Sequence, residues 1–147
     1  MANTNGSLHL EFEVSGDNFS QAGNASESMR KYLKELGVSP IDIRRAAIAM
    51  YEGEINMVIH ADGGVAIVDI YTDKVEIMLK DKGKGIDNID LAMTPGFSTA
   101  QENIRDLGFG AGMGLPNMKK YTDFMEVEST PGVGTTVKMT IIFQIGG

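Results

Sequence analysis

Glycine stands at every second position from Gly108 to Gly114, in the run GFGAGMG, and the chain then changes abruptly into Leu115, Pro116, Asn117, Met118, Lys119 and Lys120. That change reads as a loop running into the first turn of a helix. Without Cβ atoms the glycines take positive φ and let backbone N–H groups come close to a ligand, while the unpaired N–H groups of a helix start add partial positive charge. The combination suits phosphate. Proline at Pro116 fits an early helical position, where its missing N–H breaks no intrahelical bond. Flexible linkers share this composition, so the loop by itself leaves both readings open. Two better-known phosphate loops are excluded. No G-x-x-x-x-G-K-[ST] is present, and after Gly110 and Gly112 the position that G-x-G-x-x-G requires to be glycine is Leu115.

A chain of 147 residues holds one domain with a sizeable core and is too short for two of ordinary size. Its net charge of −7 argues against a broad nucleic-acid or acidic-membrane surface, because both need clustered Lys and Arg. A nucleotide site needs only local positive potential and stays available. With no cysteine, disulfides, thiol catalysis and Cys-based metal sites are excluded, and with only His9 and His60 a multi-histidine metal site is disfavoured. The start, MANTNGS, has no basic and apolar signal-peptide pattern, and no apolar run reaches bilayer length, so the expectation is a soluble cytoplasmic protein.

After a polar tail over residues 1–7, Leu8, Leu10, Phe12 and Val14 alternate with polar residues as a strand with one buried face does. From about Ser20 to Leu36 the spacing lengthens to three or four residues, and Gly37 supplies a stop. Ser39 as N-cap and Pro40 at the first helical position then start a second helix to about Ala61, burying Ile43, Ala46, Ala47, Met50, Ile55 and Ile59. Val65 to Tyr71 and Lys74 to Lys80 read as a hairpin about Thr72 and Asp73. Asp81 to Phe109 shows turn residues and little periodicity, the mark of a binding loop or lid in a compact domain. The glycine loop and a third helix to about Tyr121 follow, then closing strands over Phe124 to Ser129 and Thr135 to Ile145. Strands and helices mix without regular βαβ alternation, which points to an α+β sandwich with helices on one face of a mostly antiparallel sheet.

Glu52, Asn56 and His60 lie at i, i+4 and i+8 of the second helix and so share one face. A solvated polar stripe would look the same. Against it, the neighbours Met50, Ile55 and Ile59 are apolar, and Gly53 costs a helix about 1 kcal/mol relative to alanine, a cost that makes sense where something approaches closely. Glu54 is turned about 200° from Glu52, so only one of the two acids shares the Asn56 face. A carboxylate one turn before a carboxamide can deprotonate a nucleophile while the amide oxygen binds Mg²⁺. Asp81, Gly83 and Gly85 form D-x-G-x-G at the hairpin's end. A strand-terminal turn explains the glycines without chemistry. The sharper reading has Asp81 accept a hydrogen bond from an exocyclic amine such as adenine's. Gly132, Gly134, Thr135 and Thr136 look like a turn into a strand.

In this order the four segments resemble the nucleotide-binding domain shared by DNA gyrase B, HSP90, histidine kinases and MutL, the GHKL superfamily. Glu52 with Asn56 matches the N box, DKGKGI the G1 box, GFGAGMGLPNMKK the G2 box and GVGTTV the G3 motif. The likeness covers about Leu8 to Phe143 and is greatest to the small anti-sigma-factor and switch-protein serine kinases. It implies a two-layer α/β sandwich of the Bergerat type, with a mixed, mostly antiparallel sheet, forming a single ATP-binding, kinase-like domain over residues 1–147. Residues 87–109 would be the ATP lid. By the same likeness Glu52 is the base toward a substrate serine and Asn56 the magnesium ligand. ATP would be held by Asn56, His60, Asp81, Gly83, Gly85 and Ile86, with Thr135 supporting the adenine contact. Gly108, Gly110, Ala111, Gly112, Met113, Gly114 and Leu115 would surround the phosphates. The implied substrate is a serine or threonine on a STAS-type anti-anti-sigma or scaffold protein, and a sigma factor is the other implied partner. Gly53 and Glu54 depart from the family's N box.

A histidine-kinase domain is disfavoured because His9 lies in an expected strand and no phosphoacceptor hairpin precedes Leu8. Gyrase, MutL and HSP90 relatives need further domains. The remaining alternative is a binding module whose ATP occupancy switches its partner affinity without phosphorylation. Apolar residues on the first strand are compatible with a self-pairing edge and a homodimer.

Overall fold

Each segment expected as a strand contains one, although the hairpin's first strand ends at Ile70 rather than Tyr71 and the last at Ile142, short of the expected Ile145. The computed structural model describes residues 8–16, 22–60, 63–81, 114–130 and 132–144. Strands β1 (Leu8–Ser15), β2 (Gly63–Ile70), β3 (Lys74–Asp81), β4 (Phe124–Thr130) and β5 (Gly134–Ile142) form one sheet in the order β1-β2-β3-β5-β4. Among the described residues every pairing is antiparallel, in line with the expectation of a mostly antiparallel sheet and without the parallel pair that a mixed one would add. The reason lies in the connection between β1 and β2. One crossover helix would bring the chain back for a parallel strand, but two consecutive helices, α1 (Asn24–Glu35) and α2 (Pro40–His60), return it to the end where β1 finished.

Alternation sets the two faces apart. Leu10, Val68, Ile77 and Met139 form one inward row and Leu79 and Val137 belong to the next, all buried in one core with Met29 and Leu33 of α1 and Ala46, Met50 and Met57 of α2. Leu115 and Met118 of α3 (Gly114–Lys120) join the same core. The opposite face is largely polar. There His9 bridges the edge of the sheet, with Nδ1 2.6 Å from Asp69 on β2 and Nε2 3.2 Å from Glu11 on its own strand. These two carboxylates, Asp69 before Glu11, raise the His9 pKa.

The start of α2 is fixed by side chains. Asp42 N–H donates to Ser39 Oγ at 3.4 Å, and that hydroxyl donates back to Asp42 Oδ2 at 3.0 Å, the reciprocal arrangement of a helix cap. Asp42, 1% exposed, also accepts the Gln144 N–H at 2.9 Å, beyond the end of β5. Arg45 continues the link to Asp123 at 2.9 Å, and Asp123 accepts the Ile142 N–H at 2.6 Å. The helix is thereby tied to the sheet's closing strand. Of the apolar positions expected to be buried along it, Ile43, Ala46, Met50 and Ile55 are, and Ala47 is half-buried. The side chain of Ile59 lies outside the described residues. Among the described residues no helix is long and apolar enough to cross a membrane.

Candidate functional site

The two acids of α2 part company, as their angular separation requires. Glu54, 2% exposed, points toward the start of α1, where its carboxylate accepts the N–H groups of Gly23 at 2.9 Å, Ala25 at 3.1 Å and Ser26 at 3.1 Å. It satisfies donors that a helix start leaves without intrahelical partners, and no local side chain caps α1. The departure from the N box at Glu54 is thus a structural one. Glu52 lies on another side of α2, half-buried, with Asn117 Nδ2 of α3 donating to its Oε1 at 3.3 Å. Burial pushes the Glu52 carboxyl up, and the Asn117 hydrogen bond opposes that rise in part.

Gly53 explains how α2 comes to lie where it does. A Cβ at this position would run into Leu79 Cδ1 of β3 and stand 3.0 Å from Met118 Sδ of α3. The close approach expected of this glycine is therefore to the core itself, and it lets helix, sheet and α3 meet at one point. One turn later Met57 reaches Gly64 of β2, the residue paired with Asp81. A Cβ on Gly64 would collide with the Lys80 carbonyl oxygen and come within 2.9 Å of Asp81 Cα. The helix face next to Asn56 thus runs over the strand end that carries Asp81.

At that strand end Asp81 Oδ1 accepts the Thr135 N–H at 3.0 Å. Thr135, 7% exposed, has its hydroxyl 2.9 Å from Ser129 Oγ of β4. The structure therefore joins Asp81 with Thr135 and holds the threonine from both sides. Asn56 is half-buried one turn beyond Glu52. Among the described residues no group of three or more His, Asp or Glu could hold a metal ion. A single amide oxygen at Asn56 fits magnesium, which takes few protein ligands and completes its shell with phosphate and water.

Gly114 opens α3 and Leu115 is buried beneath it. Gly83, Gly85, Ile86, Gly108, Gly110, Ala111, Gly112, Met113 and the expected lid over 87–109 lie outside the described residues, as does the side chain of His60. Asn117 was missed as a site residue by sequence reasoning. Its contact spans 65 positions, and nothing local marks one polar residue of an amphipathic turn as the partner of a distant carboxylate.

The antiparallel sheet thus carries Asp81 at the end of β3, and the helix packed on it carries Glu52 and Asn56 one turn apart. Residues 24–145 match the family described as Histidine kinase-, DNA gyrase B-, and HSP90-like ATPase, and the chain belongs to it. Within that family its relatives are named more narrowly. It is 41% identical to the anti-sigma F factor of Caldanaerobacter subterraneus subsp. tengcongensis over 97 residues, which is 63% of this chain and 64% of that protein, just under two thirds of its length. It is 31% identical to the anti-sigma F factor of Clostridium beijerinckii over 94% of this chain and 95% of that one. The serine/threonine-protein kinase RsbT of Bacillus subtilis is 31% identical over 74% of this chain and 79% of its own. Among solved structures, one holding RsbU and RsbW domains from Mycobacterium tuberculosis shares the fold, with a TM-score of 0.60 at 18% identity over 93% of this chain and 32% of that one.

Proposed function

We propose that this protein is a Mg·ATP-dependent serine/threonine kinase that binds and phosphorylates a small regulatory protein of the STAS, anti-anti-sigma type. The observation that carries the reading is the division of labour on α2. Glu54 is consumed in capping α1, whereas Glu52 is left half-buried beside the Asn56 position with its pKa raised, as suits a general base. The names of the relatives support a kinase-type regulator of this family, since they include anti-sigma F factors and a serine/threonine-protein kinase.

In this reading Asp81 accepts the amine of adenine and Thr135 supports it from β5, while the glycine run up to Gly114 surrounds the phosphates. Residues 87–109 close as a lid. Asn56 holds the magnesium ion, whose chemistry there is to neutralise phosphate charge. Glu52 takes the proton of the partner's hydroxyl as its oxygen bonds to the γ-phosphorus. The bond from that phosphorus to the bridging oxygen breaks, and ADP leaves with the electron pair.

Glu52→Ala tests the reading. A base contributes about 10²–10⁴ in rate and little to ground-state affinity. The variant should bind ATP nearly as wild type does, by calorimetry, and lose phosphate transfer to the partner. A second reading is favoured by the name anti-sigma F factor: nucleotide-gated binding of a sigma factor without transfer. If wild type transfers no phosphate to any partner it binds, that second reading replaces the first.

A further inference from the structure

The geometry points to Asn117 as the residue that positions Glu52, and so to α3 as the element that sets the base in line; the inference rests on the kinase reading above. Asn117 is the side-chain hydrogen-bond partner of Glu52 among the described residues, 3.3 Å from its Oε1. Even a half-buried glutamate has several rotamers open to it, and holding one of its oxygens restricts the direction of the other. The partner is itself held. Leu115 and Met118, 8% and 1% exposed, anchor α3 in the core and fix its rotation, and the Asn117 carbonyl accepts the Tyr121 N–H at 3.2 Å.

Gly53 belongs to the same device. Met118 lies against the spot where a Cβ would stand on the residue next to Glu52, so α3 reaches α2 closely enough for a short asparagine side chain to bridge to the glutamate. Because α3 begins at Gly114, where the glycine run ends, the helix that orients the base also continues the loop proposed to surround the phosphates. The fit is selective: a carboxamide donates to the ionised glutamate, while a carboxylate of the same size would repel it.

The test combines kinetics with a measurement that needs no kinase activity. In nucleotide-free protein the side-chain amide resonances of Asn117 should shift on Glu52→Ala, by ¹H–¹⁵N NMR. Asn117→Ala should lower kcat for phosphate transfer by about 10- to 100-fold, since small misplacements of a reacting group cost that much, and leave KM for ATP within about twofold. Asn117→Asp keeps the volume and should lose at least as much, which a packing role would not produce. In a Glu52→Ala background Asn117→Ala should add no further loss, because the two act as one unit. Unshifted amide resonances, or a normal kcat in Asn117→Ala beside an active wild type, would overturn the inference. Absence of transfer by wild type sinks the kinase reading instead, a separate result.

Discussion

Glu52 and Glu54 are two residues apart, identical in chemistry, and opposite in what removal should do. Glu54 accepts three backbone N–H groups at a buried helix start, so Glu54→Ala strands those donors without water or partner. We expect a loss of about 2–4 kcal/mol in urea denaturation, with faster hydrogen exchange at the start of α1. Glu52 behaves the other way. Its folded-state pKa is raised by burial, so the folded protein binds the proton more readily than the unfolded chain does. The stabilising contribution of that proton is present below the ordinary glutamate range and is lost as pH rises through the raised pKa. At neutral pH the ionised carboxylate therefore costs stability. Glu52→Gln should raise the urea midpoint at neutral pH, and the gain should shrink in acid. A midpoint lowered at neutral pH would contradict the assignment of burial as the main cause.

At the scale of elements, the meeting of α2, β3 and α3 depends on one missing methyl group. Alanine at position 53 gains about 1 kcal/mol of helix propensity over glycine. It also forces a Cβ into the end of the Leu79 side chain, 2% exposed, and against Met118, so both must shift within a packed core. Overpacking of this kind costs about 1–3 kcal/mol, so packing outweighs propensity. Gly53→Ala should be destabilised by about 1 kcal/mol, and adding Leu79→Val to the same chain should restore part of it. Equal or higher stability in the single variant would mean that Leu79 and Met118 move aside for the methyl at less cost than the propensity gain. The fit at Gly53 also accounts for this departure from the family's N box, since the residue serves packing whether or not phosphate is transferred.

For the whole molecule the proposal to be tested is selection of the adenine base by Asp81. Asp81 is presented at the strand end with Thr135 bound to one of its oxygens. In Asp81→Asn the amide oxygen can keep the Thr135 N–H while the NH₂ replaces an acceptor with a donor. ATP and ADP should bind wild type at least about 100-fold more tightly than GTP, because a site built on a buried hydrogen bond rejects the wrong donor pattern. The variant should lose that preference or lose binding altogether. Equal affinities of wild type for ATP and GTP in calorimetry would remove Asp81 from the site.

The order of strands and helices, the cap at Ser39 and the separation of the two acids are legible in the sequence, because each rests on period, spacing or a residue's local conformational preference, whereas the pattern from Glu52 to Thr135 is read there as a resemblance to a family. Local rules also place Asp81 at a strand end. What they leave open is every relation between distant segments. The all-antiparallel sheet follows from the path of two successive helices, which periodicity does not record. That Glu54 caps a helix some thirty residues earlier, that Gly53 makes room for Leu79 and Met118, and that Asn117 meets Glu52 depend on which surfaces pack together. Those are properties of close packing among residues remote in the chain, so only the tertiary structure decided them.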